Sequence, residues 1–152
     1  MPETPAPQPT GRPGINTGPG RILTALYVVF AIAATGRSIL QLVTEAQKAP
    51  LAYWLSAVAA VIYVVASVCL VIGDRTRTVA IAACTVELVG VLGIGTLSFV
   101  RPDLFPDRTV WSHFGQGYGF LPLVLPIVAL VWLLRRRRPA PITPGAGPLT
   151  TP

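Results

Sequence analysis

Four apolar stretches, at about 22–44, 51–72, 79–100 and 117–134, each meet or approach the roughly 20 residues that a helix needs to cross a hydrocarbon core about 30 Å thick. Hydrocarbon offers no partner to a backbone N–H or C=O, so a chain built from such stretches satisfies its backbone inside helices. The expected fold is therefore an all-α membrane protein, four transmembrane helices in a bundle joined by short loops. Only 12% of the 152 residues are charged, against about a quarter in soluble domains. The flanks are of a different kind. Residues 1–20 and 139–152 are rich in Pro and Gly without apolar periodicity, and such segments bury too little surface to offset the entropy of ordering. They are expected to be disordered tails, leaving 21–138 as one transmembrane domain.

The net charge of +6 raises nucleic acid as a partner, but Arg135, Arg136, Arg137 and Arg138 follow an apolar stretch directly, where a cytoplasmic anchor belongs. No nucleic-acid partner is expected. Arg12, Arg21, Arg75, Arg77 and the four-arginine run fall on one side of the bundle, and Lys48, Arg101 and Arg108 on the other. By the positive-inside rule both termini face the cytoplasm. The preference for arginine over lysine, with abundant Ala, Val, Gly and Pro, fits a high-GC bacterial genome, so the expected location is a bacterial plasma (inner) membrane.

Two stretches invite a different reading. Arg21, the run ILTALYVVFAIAA and the Ala31/Ala33 pattern resemble a cleavable signal peptide; the apolar pattern resumes as SILQLV beyond Arg37, which favours a full retained helix. The fourth stretch contains Pro122 and Pro126, which remove backbone donors and favour a kink.

Ionisable residues inside spans are functional candidates by default. Glu87 sits near the middle of the third span, with Ala83 and Gly90 on the same helical face. Small residues there let a neighbouring helix approach, so the glutamate is expected to face the bundle. Burial disfavours the charged form, so a protonated or hydrogen-bonded carboxyl is expected. It either ties helices together or belongs to a proton or ion path. Arg37, Gln41 and Glu45 recur every four residues and make one polar stripe toward the outer end of the first span. Counting helical rise from Ile22 and Val79, Arg37 and Glu87 lie about 10 Å apart in depth. Their contact is possible but strained, and Arg37 with Glu45 or with a loop acid is equally admissible.

The third loop, RPDLFPDRTVWSHFGQGYGF, carries the only histidine, His113, among Trp111, Ser112, Phe114 and Tyr118, with Asp103 and Asp107 upstream. Aromatic rings at a membrane interface account for this composition. The sharper alternative is a small outer-face pocket of Tyr53, Trp54, Asp107, Trp111, His113 and Tyr118, with the stripe of the first span as its other wall. Cys69 and Cys84 fall within spans and form no metal-ligand spacing. GQGYG lacks the preceding strand of a dinucleotide fingerprint. No cofactor, metal or enzymatic constellation is expected.

The blocks TGRSILQL, APLAYWLS, VELVGVLGIGTLS and TVWSHFGQGYGFLPLVLP resemble those of small four-span integral membrane proteins of unknown function from actinobacteria, over about residues 20–135. The resemblance implies architecture and host class and assigns no residue a role. The leading functional expectation is a non-enzymatic accessory or interaction subunit of a cell-envelope membrane complex, in contact with the lipid bilayer and with a membrane-protein partner or further copies of itself. Small residues at Ser56, Ala59, Ala60, Ala83, Gly90 and Gly93 suit such packing. The alternative is a small oligomeric transporter or proton-linked channel that uses Arg37 and Glu87. A lipid-acting enzyme recruiting His113, Asp107 and Glu45 has no spacing to support it.

Overall fold

The computed structural model describes residues 18–135 with the exception of 46. The expected tails, 1–20 but for their last three residues and 139–152, lie outside the described residues, as do Arg136, Arg137 and Arg138. All regular structure among the described residues is helical: α1 (Pro19–Thr44), α2 (Pro50–Ile72), α3 (Arg77–Val100) and α4 (Leu121–Arg135), with short 3-10 turns between them.

Local sequence accounts for the helix ends. α1 and α2 both begin on proline, whose fixed φ suits the first helical position and whose missing N–H costs nothing there. α2 stops at Gly73, which takes φ 90°, ψ −139°, a conformation open to glycine and costly for other residues. The Thr76 hydroxyl then donates to the Cys69 carbonyl at 2.7 Å, adding to the bond which that carbonyl accepts from the Gly73 N–H at 3.0 Å.

α1, α2 and α3 are each long and apolar enough to cross a membrane. The fourth apolar stretch differs from expectation. Instead of one helix over 117–134, Ser112–Tyr118 and Leu121–Arg135 meet at a bend of 100°. α4 has 15 residues, about 22 Å of helix, which is short of the hydrocarbon thickness. The bent pair counted as one span makes up the difference, so the bundle has three spanning helices, or up to four on that count.

α1 packs chiefly on α2, and α3 packs on both α2 and α4. The 112–118 segment lies on α3 and α4. The core between the helices is lined by Tyr27, Tyr63, Leu70, Leu133, Glu87 and several alanines, all buried, and Tyr53 is buried in a separate cluster with Ala49 and Ala52. The outward surface is valine, isoleucine and leucine, for example Ile22, Val29, Val61 and Val89. Polar groups inside and apolar groups outside is the arrangement a bilayer requires and water penalises.

Candidate functional site

Threonine and serine bend the third loop back into the bundle. The Thr109 N–H donates to Ser112 Oγ at 2.9 Å and the Ser112 N–H to Thr109 Oγ1 at 2.9 Å, a reciprocal pair that fixes a tight turn. The turn aims Trp111 inward, where it is buried. Its indole ring lies against Gly90 of α3, so close that a Cβ on that glycine would stand 2.7 Å from the ring. Gly90 is ten residues before Val100, the end of α3, and so lies about 15 Å below it. Phe114 fills a second notch at Gly95, and Pro122 a third at Gly115. Between them the chain runs left-handed through His113, Phe114 and Gly115 at φ 52°, 59° and 77°, then through Gly119 and Phe120. A non-glycine residue in this region costs about 1–2 kcal/mol. The surroundings hold it there: the His113 N–H donates to Ser98 Oγ at 2.8 Å, and Ser98 Oγ to the Gly95 carbonyl at 2.7 Å.

Glu87 is wholly buried, facing the bundle from the side shared with Gly90. The Tyr27 hydroxyl of α1 donates to its Oε2 at 2.8 Å, and the same hydroxyl lies 3.4 Å from Cys84 Sγ. Tyr63 of α2 is a further neighbour of Glu87, and Trp111 and Tyr118 neighbour Tyr63 in turn. Within this group Glu87 Oε1, Tyr63 Oη and Trp111 Nε1 are all buried, and the Tyr63 hydroxyl faces both Glu87 and Trp111. Phe30 packs on both Tyr63 and Tyr118, with ring centroids at 5.9 and 6.4 Å.

Arg37 does not bond to Glu87. Its guanidinium donates to Tyr118 Oη at 2.5 Å and to the Arg108 carbonyl at 3.1 Å, and Nε reaches Gln41 Oε1 at 3.4 Å. It also lies 5.7 Å from the Tyr118 ring centre. Arg37 thus clasps both limbs of the third loop, before and after the turn. At the opposite end of the bundle Arg77 donates twice to the Leu133 carbonyl, at 3.0 and 2.6 Å. That contact ties the start of α3 to the last turn of α4.

The six residues considered for one outer pocket are found at several places. The Tyr53 hydroxyl donates to Asp107 and lies 3.3 Å from Glu45 Oε2. Lys48 closes this outer group with a 2.7 Å ion pair to Glu45. The hydrogen bond from Lys48 and its charge hold the Glu45 carboxyl below the usual carboxylate range. Trp54 points away, 64% exposed. His113 stacks edge-on against Phe99 at 4.5 Å, Tyr118 belongs to the Arg37 clasp, and Trp111 to the Glu87 group. Among the described residues no group of three or more His, Cys, Asp or Glu is arranged to hold a metal ion.

A groove runs down the outward side of the α1–α2 seam, about 290 Å³ in volume, between Thr35, Ser38 and Leu42 of α1 and Ala60, Val61 and Val64 of α2. The hydroxyls of Thr35, Ser38 and Ser56 are enclosed by the protein and have no hydrogen-bond partner within it.

Sequence reasoning passed over Tyr27 and Tyr63 as neighbours of Glu87, and Phe30 as the ring between Tyr63 and Tyr118. A legible signal existed: a tyrosine in mid-span has a hydroxyl that must find a partner away from lipid. Comparison with protein-family models, with curated proteins and with solved structures finds no match for this chain.

Proposed function

We propose that the protein is a non-enzymatic accessory or interaction subunit of a multi-pass membrane complex in a bacterial plasma membrane, with both termini cytoplasmic. On this reading it is akin to the small four-span actinobacterial proteins that its sequence blocks resemble. The observation that carries the proposal is the α1–α2 groove, an apolar hollow of about 290 Å³ lined by small residues such as Ser38, Ala57 and Ala60. Small residues at the floor of the groove let a partner helix approach closely, the mode by which helices associate in membranes.

The test is a photo-crosslinker at Val61 in full-length protein, expressed in its native membrane. A stoichiometric adduct with one membrane protein is expected, together with loss of mild-detergent co-purification when Val61→Trp fills the groove. Adducts with lipid alone, or only with a second copy of the chain, overturn the accessory reading. Orientation is tested separately. Reporters in the Asp74–Thr76 turn should report cytoplasm and one at Asp103 the exterior, as the arginine distribution requires; the reverse pattern overturns the topology.

A second reading, a small oligomeric transporter or proton-linked channel using Arg37 and Glu87, is favoured by one observation: an ionisable carboxyl, Glu87, lies wholly buried within the bundle.

A further inference from the structure

The charges at the loop end of the bundle are of two kinds. Lys48 pairs with Glu45 at 2.7 Å and Arg101 with Asp103 at 2.7 Å, while Asp107 accepts from the Tyr53 hydroxyl. Arg37 and Arg108 differ, since among the described residues neither forms an ion pair with an acid. Every hydrogen-bond acceptor of Arg37 is neutral: the Tyr118 phenol, the Arg108 carbonyl and the Gln41 amide. Its guanidinium is thus fixed in place with its charge uncompensated.

A second cation is tethered beside it. The carbonyl that Arg37 Nη2 reaches at 3.1 Å belongs to Arg108, whose own side chain starts on the Cα bonded to that carbonyl carbon. Arg108 is exposed. Two like charges in one small area repel, and an anion between them reverses the sign of the interaction. Arg37 has donors left for such an anion. Of its five N–H groups, the bonds above occupy the one on Nε and one on each terminal nitrogen, so each terminal nitrogen keeps an N–H to offer.

Depth selects the source of the anion. Arg37 stands seven residues before Thr44, the end of α1, about 10 Å of helix. With 26 residues α1 is about 39 Å long, so when centred it overhangs a hydrocarbon core of about 30 Å by roughly 4–5 Å at each end. The Arg37 Cα then lies about 6 Å inside the hydrocarbon edge. An arginine at that level runs its apolar stem outward and sets its charged head among the headgroups. The bonds of Arg37 follow this direction, since Gln41 is one turn nearer the helix end and the contact with the Arg108 carbonyl is exposed.

We propose that Arg37 and Arg108 bind the phosphate of one anionic phospholipid in the leaflet at the loop end of the bundle. A planar guanidinium matches phosphate oxygens with paired N–H donors. A headgroup of net negative charge is favoured over a zwitterionic one, whose own ammonium would meet two cations that have no acid partner. On the same side of α1, Ala33 lies one turn below Arg37 and Gly36 beside it, both exposed. A Cβ at Gly36 would meet nothing within 4 Å, so the helix surface there is open to an acyl chain. At 100° per residue this side faces away from the groove lined by Thr35, Ser38 and Leu42. The site therefore holds whether or not that groove takes a partner.

The experiment is native mass spectrometry of the full chain in mixed micelles. One phosphatidylglycerol is expected to stay bound in preference to phosphatidylcholine with the same acyl chains. Arg108→Gln removes one guanidinium and keeps the carbonyl that Arg37 holds. It should weaken binding of the first phosphatidylglycerol by about fivefold, the factor that ~1 kcal/mol per basic side chain sets. Arg101→Gln makes the same change of net charge in the same loop, at an arginine already paired with Asp103, and should leave that binding nearly unchanged. Arg37→Gln should lose at least as much as Arg108→Gln, and millimolar inorganic phosphate should not displace the lipid. Equal retention of the two lipids, or equal losses in Arg101→Gln and Arg108→Gln, overturns the proposal. So does displacement by inorganic phosphate, or full binding in folded Arg37→Gln. If Arg37→Gln does not fold, the comparison of Arg108→Gln with Arg101→Gln decides alone.

Discussion

Trp111 and Gly90 form a ring-in-notch contact: the indole carbons stand where a glycine Cβ would be, at 2.7 Å. That contact binds the third loop to the middle of α3, far below the end of the helix. Gly90→Ala forces a displacement of a large, buried, rigid ring, and overpacking of this kind costs about 1–3 kcal/mol. Gly95→Ala should cost at least as much, since its Cβ would meet Phe114 at 2.4 Å and the Phe114 backbone nitrogen at 2.9 Å. Gly93 has nothing within 4 Å, so Gly93→Ala should be neutral or slightly stabilising through helix propensity. Equilibrium unfolding in mixed micelles ranks the three, and equal losses would refute the notch assignment.

Arg37 holds the loop by two donors spaced on one planar group, to Tyr118 Oη and the Arg108 carbonyl. A lysine ammonium cannot span both in the same geometry. Arg37→Lys is therefore expected to keep the bundle folded while freeing the loop, with a loss of about 1–3 kcal/mol for a charged hydrogen bond. Hydrogen exchange at residues 104–110 should rise several-fold. Unchanged protection there would show that the loop is held by Trp111 and Phe114 alone.

Glu87 is tied to Tyr27 within the bundle, so replacement by a neutral isostere and by a cation should diverge. Glu87→Gln keeps an acceptor for the Tyr27 hydroxyl and is expected to leave the amount of folded protein close to that of the parent. Glu87→Lys places an unpaired cation among aromatic rings, and losses of about 3–5 kcal/mol accompany an uncompensated buried charge. Membrane-extracted yield and unfolding midpoints check both. A freely accommodated lysine would mean that Glu87 is reached by solvent.

The outer ion pair gives a signed pH expectation. Lys48 bonds Glu45 at 2.7 Å, which holds the Glu45 carboxyl low and raises the Lys48 amine. A carboxyl lowered in the folded state contributes its stabilisation above its unfolded value, and loses it as the pH falls through the folded one. The pair should therefore persist through mild acid, and Lys48→Ala should move the Glu45 midpoint upward toward an ordinary ~4.3. Carbon-13 carboxyl titration reads this directly. Because both groups are solvent-exposed, little change in overall stability is expected.

The sequence determined the membrane environment, the helical class and the inward orientation of Glu87. All of these follow from local quantities: the length of an apolar run, and small residues at helical spacing around a polar one. The third loop obeyed no local rule. Its aromatic residues read as an interfacial belt, because that is what aromatics beside a span do when nothing else recruits them. Tertiary structure alone decided that Trp111 descends to Gly90, since the notch belongs to a helix about twenty residues away and its depth is a property of the packed pair.

The same reason governs Arg37 and Glu87. Helical rise could place them at neighbouring depths, but depth along an axis does not set which faces meet. The inward loop put Tyr118 against Arg37, and the packing of α1 and α2 put Tyr27 and Tyr63 beside Glu87. The two ionisable groups, whose contact the sequence left open, therefore have separate partners. That Glu87 lies inside the bundle was written in the chain, while which groups it touches was fixed by how the helices turn toward one another.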